Sequence, residues 1–338
     1  MIAHAGKRTL TLENRPYLLS HAAAVGKKEG EGPLGSRFDF VTRNDRMGQK
    51  SWELAESELQ RTAIDLALRK GSLRHCDLDL ILAGDLLNQC IGSFLASMHS
   101  DVPYLGQYGA CSTMAQGLAL GGVLVEAGAA ARLAVSASSH FCSAERQYRF
   151  PLAYGGQRTP TAQWTATAAG AAVLGAEGGS SVRMTHVLFG KMIELGVKDA
   201  NNMGAAMAPA ACDTLSCLLR ELGAKPTDFD CIVTGDLGRV GADLLLTLLR
   251  EDGIDLSPVY SDCGILLFGD TQDAHAGGSG CGCSAAVLCG PLLRDMHEGK
   301  IRRMIFAGTG AMMSPTSVQQ SQPIAGICHA VVLERSGA

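Results

Sequence analysis

One ten-residue phrase occurs twice in this chain. DLDLILAGDL (77 to 86) returns as DFDCIVTGDL (228 to 237), pairing Asp77 with Asp228, Asp79 with Asp230, Ile81 with Ile232, Gly84 with Gly235, Asp85 with Asp236 and Leu86 with Leu237. A repeat with collinear neighbours restricts the chain to two copies of one unit packed together. The neighbours are there. Upstream, QKSWELAESELQRTAIDLALRKG puts Trp52, Ala55, Leu59, Ala63 and Leu66 on one helical face and closes at Gly71; its counterpart is APAACDTLSCLLRELG, ending at Gly223. Downstream, GACSTMAQG (109 to 117) faces CGCSAAVLC (281 to 289), setting Cys111 opposite Cys283. GAAARLAVSASS (128 to 139) matches GKIRRMIFAGTG (299 to 310), and AAVLGAEG (171 to 178) matches AVVLERSG (330 to 337).

Each half reads helix, strand, glycine-rich turn, helix, strand, long loop, closing strand. The strands LDLILAG, RLAVSAS and RRMIFAG are apolar without alternation, as expected of strands covered on both faces by helices. The expectation is an α/β chain in a duplicated, layered αβαβα arrangement of two pseudo-repeats, residues 1–185 and 186–338. Two long loops, 140–164 and 257–278, are candidates to shape a binding site.

Composition excludes several functions. A net charge of -4 and the lack of any basic run argue against nucleic acid as a partner. MIAHAGKRTLTLENRPYLL lacks the apolar stretch of a signal peptide, and no run is long enough to span a bilayer. The 12 cysteines therefore read as thiols, and the Cys281/Cys283 pair has no second pair at zinc-ligand spacing. GGSGCGC (277 to 283) lacks the Lys-Ser/Thr ending of a P-loop and a preceding strand, so it reads as a tight turn. Neither metal nor cofactor is expected.

The layered duplication, with Cys111 opening the central helix of the first half, resembles the thiolase-like superfamily, and within it β-ketoacyl-acyl carrier protein synthase III. A more specific likeness lies in KKEGEGPLGSRFD (27 to 39), QKSWELAE (49 to 56), LILAGDLLNQ (80 to 89), YLGQYGACSTMAQGLALG (104 to 121), QYRFPLAYGGQRTPTAQWTATAAG (147 to 170) and GGSGCGCSA (277 to 285). These segments resemble the stage V sporulation protein AD family of spore-forming bacteria. That resemblance implies binding of dipicolinic acid (pyridine-2,6-dicarboxylate), with or without calcium, for its uptake into spores and release at germination. It further implies a place at the forespore or spore inner membrane, peripheral and held by other stage V sporulation A membrane proteins. Thiolase-like proteins are typically dimers, so a homodimer is expected too.

By the same resemblance, Cys111 occupies the position of the condensing enzymes' nucleophile, where a helix N-terminus lowers the thiol pKa. Condensation also needs histidine and asparagine, or two histidines, to stabilise the enolate. In register, the turn of the first histidine becomes TGDLGRVG (234 to 241) and holds Asp236, while the asparagine falls near Gly282. His275 substitutes only if its loop folds inward. The expectation is a relic: Cys111 lining a pocket that binds without catalysing, as against inert core packing.

The ligand candidates are Cys111, His140, Asn88, Gln89, Arg146, Arg149 and Arg158. His140 follows a buried strand and faces either the Cys111 cavity or the core. Asn88 and Gln89 lie past a strand end, where open α/β folds place ligands, and lack counterparts in the second half. Asp85 and Asp236 read as caps of the helices that follow them. The arginines offer guanidinium forks for carboxylates, against a solvated surface role. Trp164 either stacks on an aromatic ring or anchors its loop. Two other readings stay open: an acyltransferase using Cys111 with His140 or His275 as base, and a dimeric scaffold for the membrane assembly.

Overall fold

The computed structural model describes residues 2–14, 16–148 and 158–336, with only the backbone of Tyr148. The first half contributes β1 (Tyr17–Val25), α1 (Trp52–Lys70), β2 (Leu80–Gly84), α2 (Ile91–Ser97), β3 (Tyr104–Gly106), α3 (Thr113–Glu126), β4 (Arg132–Ser139) and β5 (Ala168–Gly175). The second contributes β6 (Val182–Leu188), α4 (Met203–Leu222), β7 (Cys231–Thr234), α5 (Gly238–Glu251), β8 (Tyr260–Asp262), α6 (Cys281–Val287), β9 (Arg303–Met312) and β10 (Ala325–Arg335).

The strands run β8-β7-β9-β10-β6-β1-β5-β4-β2-β3, an order that reads as the same five-strand unit outward from its middle in both directions. In each unit the DxD strand pairs in parallel with two neighbours, and the closing strand pairs antiparallel on both sides. The units meet where β1 pairs with β6, Tyr17 with Arg183, and where the strand Thr9–Leu12 pairs antiparallel with β6, from His186 with Thr11 to Leu188 with Thr9. The strand Val182–Leu188 is cut by a division at residue 185.

Side-chain alternation builds the layers. Along β5, Ala169, Ala171 and Val173 pack against α1, while Ala168, Ala172 and Leu174 face the central helices. On β9, Met304 and Phe306 point inward and Ile305 and Ala307 pack against α4. Three apolar cores thus separate five layers: α1 and α2, the first sheet, α3 and α6, the second sheet, α4 and α5. Small residues on the strands let these layers approach closely, and each fully buried leucine or phenylalanine contributes about 1.5–3 kcal/mol.

Helix ends follow their chemistry. Ser51 caps α1 by accepting from Leu54 N–H, and Gly71 ends it. The sequence reading begins α4 at Ala208; the structure starts it at Met203, where the Asn202 side chain accepts from Ala205 N–H at 3.3 Å. Gly223, at φ +61°, closes it in the left-handed conformation that glycine tolerates.

Candidate functional site

Cys111 sits in the turn between β3 and α3, two residues ahead of the helix. Ala110 takes φ +49°, uncommon for a residue with a Cβ, and the Ser112 and Thr113 hydroxyls donate back to the Gly109 and Ala110 carbonyls at 2.6 and 2.7 Å. The turn is therefore locked. Counted from the helix starts, Cys111 corresponds to Ser279, two residues before α6, and not to Cys283, which lies inside that helix. Ser279 shares the lining of one cleft with Cys111.

Asp236 completes this arrangement. Fully buried beside Cys111, it accepts from Gly280 N–H at 2.9 Å, Ser279 Oγ at 3.2 Å and Thr309 Oγ1 at 2.9 Å. It does not cap the helix that follows it. That task falls to Asp262, which accepts from Leu237 and Gly238 N–H at 2.9 and 3.1 Å. Asp85 does behave as a cap, accepting from Ser93 N–H at 2.7 Å in the first turn of α2.

The electrostatics run opposite to those expected of a nucleophile. Burial, and then the Asp236 charge, push the Cys111 thiol well up. A helix N-terminus contributes about 1–2 kcal/mol at most, near one pKa unit, whereas full burial shifts a group by about 3–5 units. Burial wins, and Cys111 stays a neutral thiol. Burial also raises Asp236, to about 7, against the hydrogen bonds that favour its charge.

Cys111 opens onto a cleft lined among the described residues by Leu86, Tyr108, Glu145, Thr165, Met203 and Met313, with Ala110, Ala144, Ser279 and Ala311. The cleft has about 420 Å³ of empty space with its mouth, of which about 40 Å³ admits the centre of a water molecule. Thr165 Oγ1 donates to Glu145 Oε1 at 2.9 Å. No arginine, lysine or histidine is in the described lining.

The other candidates lie elsewhere. His140 is buried but does not line the cleft: Cys142 N–H donates to its Nδ1 at 3.2 Å, so Nε2 carries the proton and donates to the Asp45 carbonyl at 2.8 Å. Its ring packs on Trp52, and burial lowers its pKa, keeping it neutral. Asn88 and Gln89 are exposed; the Asn88 N–H donates to Gln147 Oε1 at 2.8 Å, and Gln89 is in a left-handed turn. Arg146 pairs with Glu53 on the surface. Arg149 lies outside the described residues. His275 is tied to the Thr159 carbonyl at 2.7 Å and to Asp273 at 2.9 Å, away from Cys111. Gly282 leaves no room for an asparagine, since a Cβ there would meet Ala168 O at 2.2 Å and Ser139 N at 2.6 Å.

Arg158 and Trp164 do meet, on the far side of the short ribbon formed by Trp164–Thr165 and Gly278–Ser279. The Arg158 guanidinium lies 4.6 Å from the Trp164 ring centroid and Lys28 Nζ 3.6 Å from it, while Phe141 stacks at 4.0 Å. Sequence reasoning missed Lys28, Glu145 and Ser279. Only Ser279 had a signal, its position just before the second central helix.

The sequence pattern of the family described as Stage V sporulation protein AD (SpoVAD) matches residues 6–334. Stage V sporulation protein AD of Bacillus subtilis (strain 168) is 42% identical over 332 residues, 98% of each chain. This chain belongs to the SpoVAD family. Its fold is that of thiolase-like condensing enzymes. A variant of OleA from Xanthomonas campestris aligns with 95% of this chain and 98% of its own at TM-score 0.61 and 14% identity. The 3-oxoacyl-[acyl-carrier-protein] synthase III from Aquifex aeolicus VF5 aligns with 94% and 99% at TM-score 0.56 and 14% identity. SpoVAD membership makes this a sporulation protein, and no described helix is long and apolar enough to cross a membrane.

Proposed function

We propose that this SpoVAD-family chain binds dipicolinic acid, for uptake into spores and release at germination, without catalysing a condensation. One observation carries the non-catalytic part: the thiol at the relic nucleophile position is buried beside the buried Asp236 carboxyl, and both push its pKa up. No histidine lines its cleft among the described residues. The two histidines that an acyltransferase would recruit, His140 and His275, are hydrogen-bonded elsewhere. Family membership supports the ligand. The chain acts as a homodimer, peripheral to the spore inner membrane, on which other stage V sporulation A proteins hold it.

A calorimetric titration of the purified protein with dipicolinate tests the ligand, and mass spectrometry after incubation with an acyl thioester tests the chemistry. Saturable binding with Cys111 unmodified is expected. Absence of binding by the folded protein overturns the ligand reading; stoichiometric acylation of Cys111 overturns the non-catalytic one.

A further inference from the structure

The segment that follows β6 carries the two most exposed large apolar side chains among the described residues, Leu195 at 70% and Met192 at 66%. A lone exposed leucine needs no explanation, but two such side chains three residues apart on one fixed segment do.

The segment is held from both ends. Gly190 N–H donates to Nδ1 of the buried His329 at 3.1 Å, and Gly190 lies so close to the Cys328 carbonyl that a Cβ would overlap it. Ile193 exchanges both main-chain bonds with Gly326, at 2.9 and 2.8 Å, and Ile324 N–H donates to the Val197 carbonyl at 2.7 Å. Ile193 and Val197 pack against the core under α4, which leaves Met192 and Leu195 on the outer side. Gly196, at φ +82°, stands clear of the body, since a Cβ there would meet nothing within 4 Å. The backbone thus presents two apolar side chains outward from a rigid base.

Ammonium groups flank them. Lys191 precedes Met192, Lys198 follows Leu195 by three residues, and both are exposed. Asp213 stands 3.7 Å from Lys191 but is already taken by Arg8 at 2.6 Å, so one carboxylate serves two cations. The neighbouring carboxylates turn onto their own backbone: Glu194 accepts from Gly196 N–H, and Asp199 from Asn201 N–H at 2.9 Å.

This pattern suits a lipid surface better than a protein. A stable protein interface buries about 800 Å² on each partner around a packed apolar centre, and two side chains on a narrow turn fall well short of that. A bilayer surface demands no complementary shape. It accepts apolar side chains at headgroup depth, and anionic headgroups attract lysines that reach sideways from the same turn.

We propose that residues 189–198 dip Met192 and Leu195 into the headgroup boundary of an anionic phospholipid bilayer, with Lys191 and Lys198 against the phosphates. The proposal rests on the peripheral placement above and gives the chain a lipid contact of its own, beside the proteins that hold it. With so little apolar surface the contact is reversible and weakened by salt.

The test floats the purified full chain with vesicles of phosphatidylglycerol and phosphatidylcholine, or of phosphatidylcholine alone. Binding is expected to the anionic vesicles at low salt, with at least tenfold less to the neutral ones. Met192→Gln combined with Leu195→Gln should weaken partitioning at least tenfold with unchanged circular dichroism, and Lys191→Gln combined with Lys198→Gln should flatten the salt dependence. Leu195→Trp should keep binding, and brominated acyl chains should quench its emission beyond any quenching of Trp52 and Trp164 in the parent. Partitioning unchanged in the glutamine variants, without extra quenching in Leu195→Trp, overturns the proposal. So does a folded parent that ignores anionic vesicles, although placement through partner proteins then still stands. That wider reading falls only if the chain is missing from the inner-membrane fraction of spores. If the double glutamine variant at 192 and 195 fails to fold, the Leu195→Trp quenching decides.

Discussion

At pH 7 the Asp236 carboxyl is near its own midpoint, because burial lifts it from 3.8 to about 7. The sign of its effect on stability follows. Between those values the unfolded chain has lost the proton and the folded chain retains it, so the contribution is complete below pH 3.8 and fades as pH rises to about 7. The change amounts to about 4 kcal/mol at most. Asp236→Asn removes the titration, so the parent's stability relative to this variant should fall between pH 4 and 7. Urea midpoints for both proteins at pH 4, 5.5 and 7 check it; parallel curves would refute the assignment. The same burial predicts slow chemistry at the neighbouring sulfur. At pH 7.5, iodoacetamide should modify Cys111 more slowly than the exposed Cys76, as peptide mass spectrometry can follow. Faster labelling of Cys111 would revive the acyltransferase reading.

At the scale of elements, α6 docks on the first sheet through backbone contacts that tolerate no side chain. Gly282→Ala places a methyl against the Ala168 carbonyl oxygen and the Ser139 nitrogen, both main-chain atoms fixed in paired strands. Relief requires moving a helix off its sheet, so the substitution should cost about 3 kcal/mol or more, or abolish soluble expression. A urea midpoint within experimental error of the parent would contradict that packing. This close approach also explains why an asparagine cannot simply be restored at this position. The same elements show what was legible beforehand. The two-face burial of β2, β4 and β9 was readable from their small and β-branched residues, because a strand between helix layers needs apolar side chains at every position. Helix order was readable because both copies carry it. Side-chain direction at strand ends was not: His140 follows Ser139 directly, and only the turn of the next helix decides that it meets Asp45 instead of Cys111. Nor did the sequence reveal that Asp85 and Asp236, identical in the repeat, hold different helices. Asp262, a third carboxylate on the neighbouring strand β8, had taken over one cap.

At the scale of the whole molecule the two ends of the sheet differ although the repeat makes them equivalent. At one end, β8 offers Tyr260, whose hydroxyl is bonded to Thr234, then Ser261 and the inward Asp262. At the other, β3 ends the sheet with Leu105 exposed, and α2, packed against it, exposes Phe94 and, just past its end, Met98. An unpaired edge flanked by exposed apolar side chains calls for a partner, and a second copy supplies the same edge by a two-fold axis, closing the assembly at two. We place the interface of the proposed homodimer at this edge. Tyr108, two residues past that strand, lines the Cys111 cleft, so the proposed interface and the cleft mouth share a segment. Leu105→Lys puts a like charge twice across the axis and leaves the monomer's core untouched. Sedimentation velocity should show the parent as a dimer and the variant as a monomer, with unchanged circular dichroism. A monomeric parent, or a variant that sediments as the parent does, would place the partner of this edge elsewhere, among the membrane proteins on which this reading has the chain held.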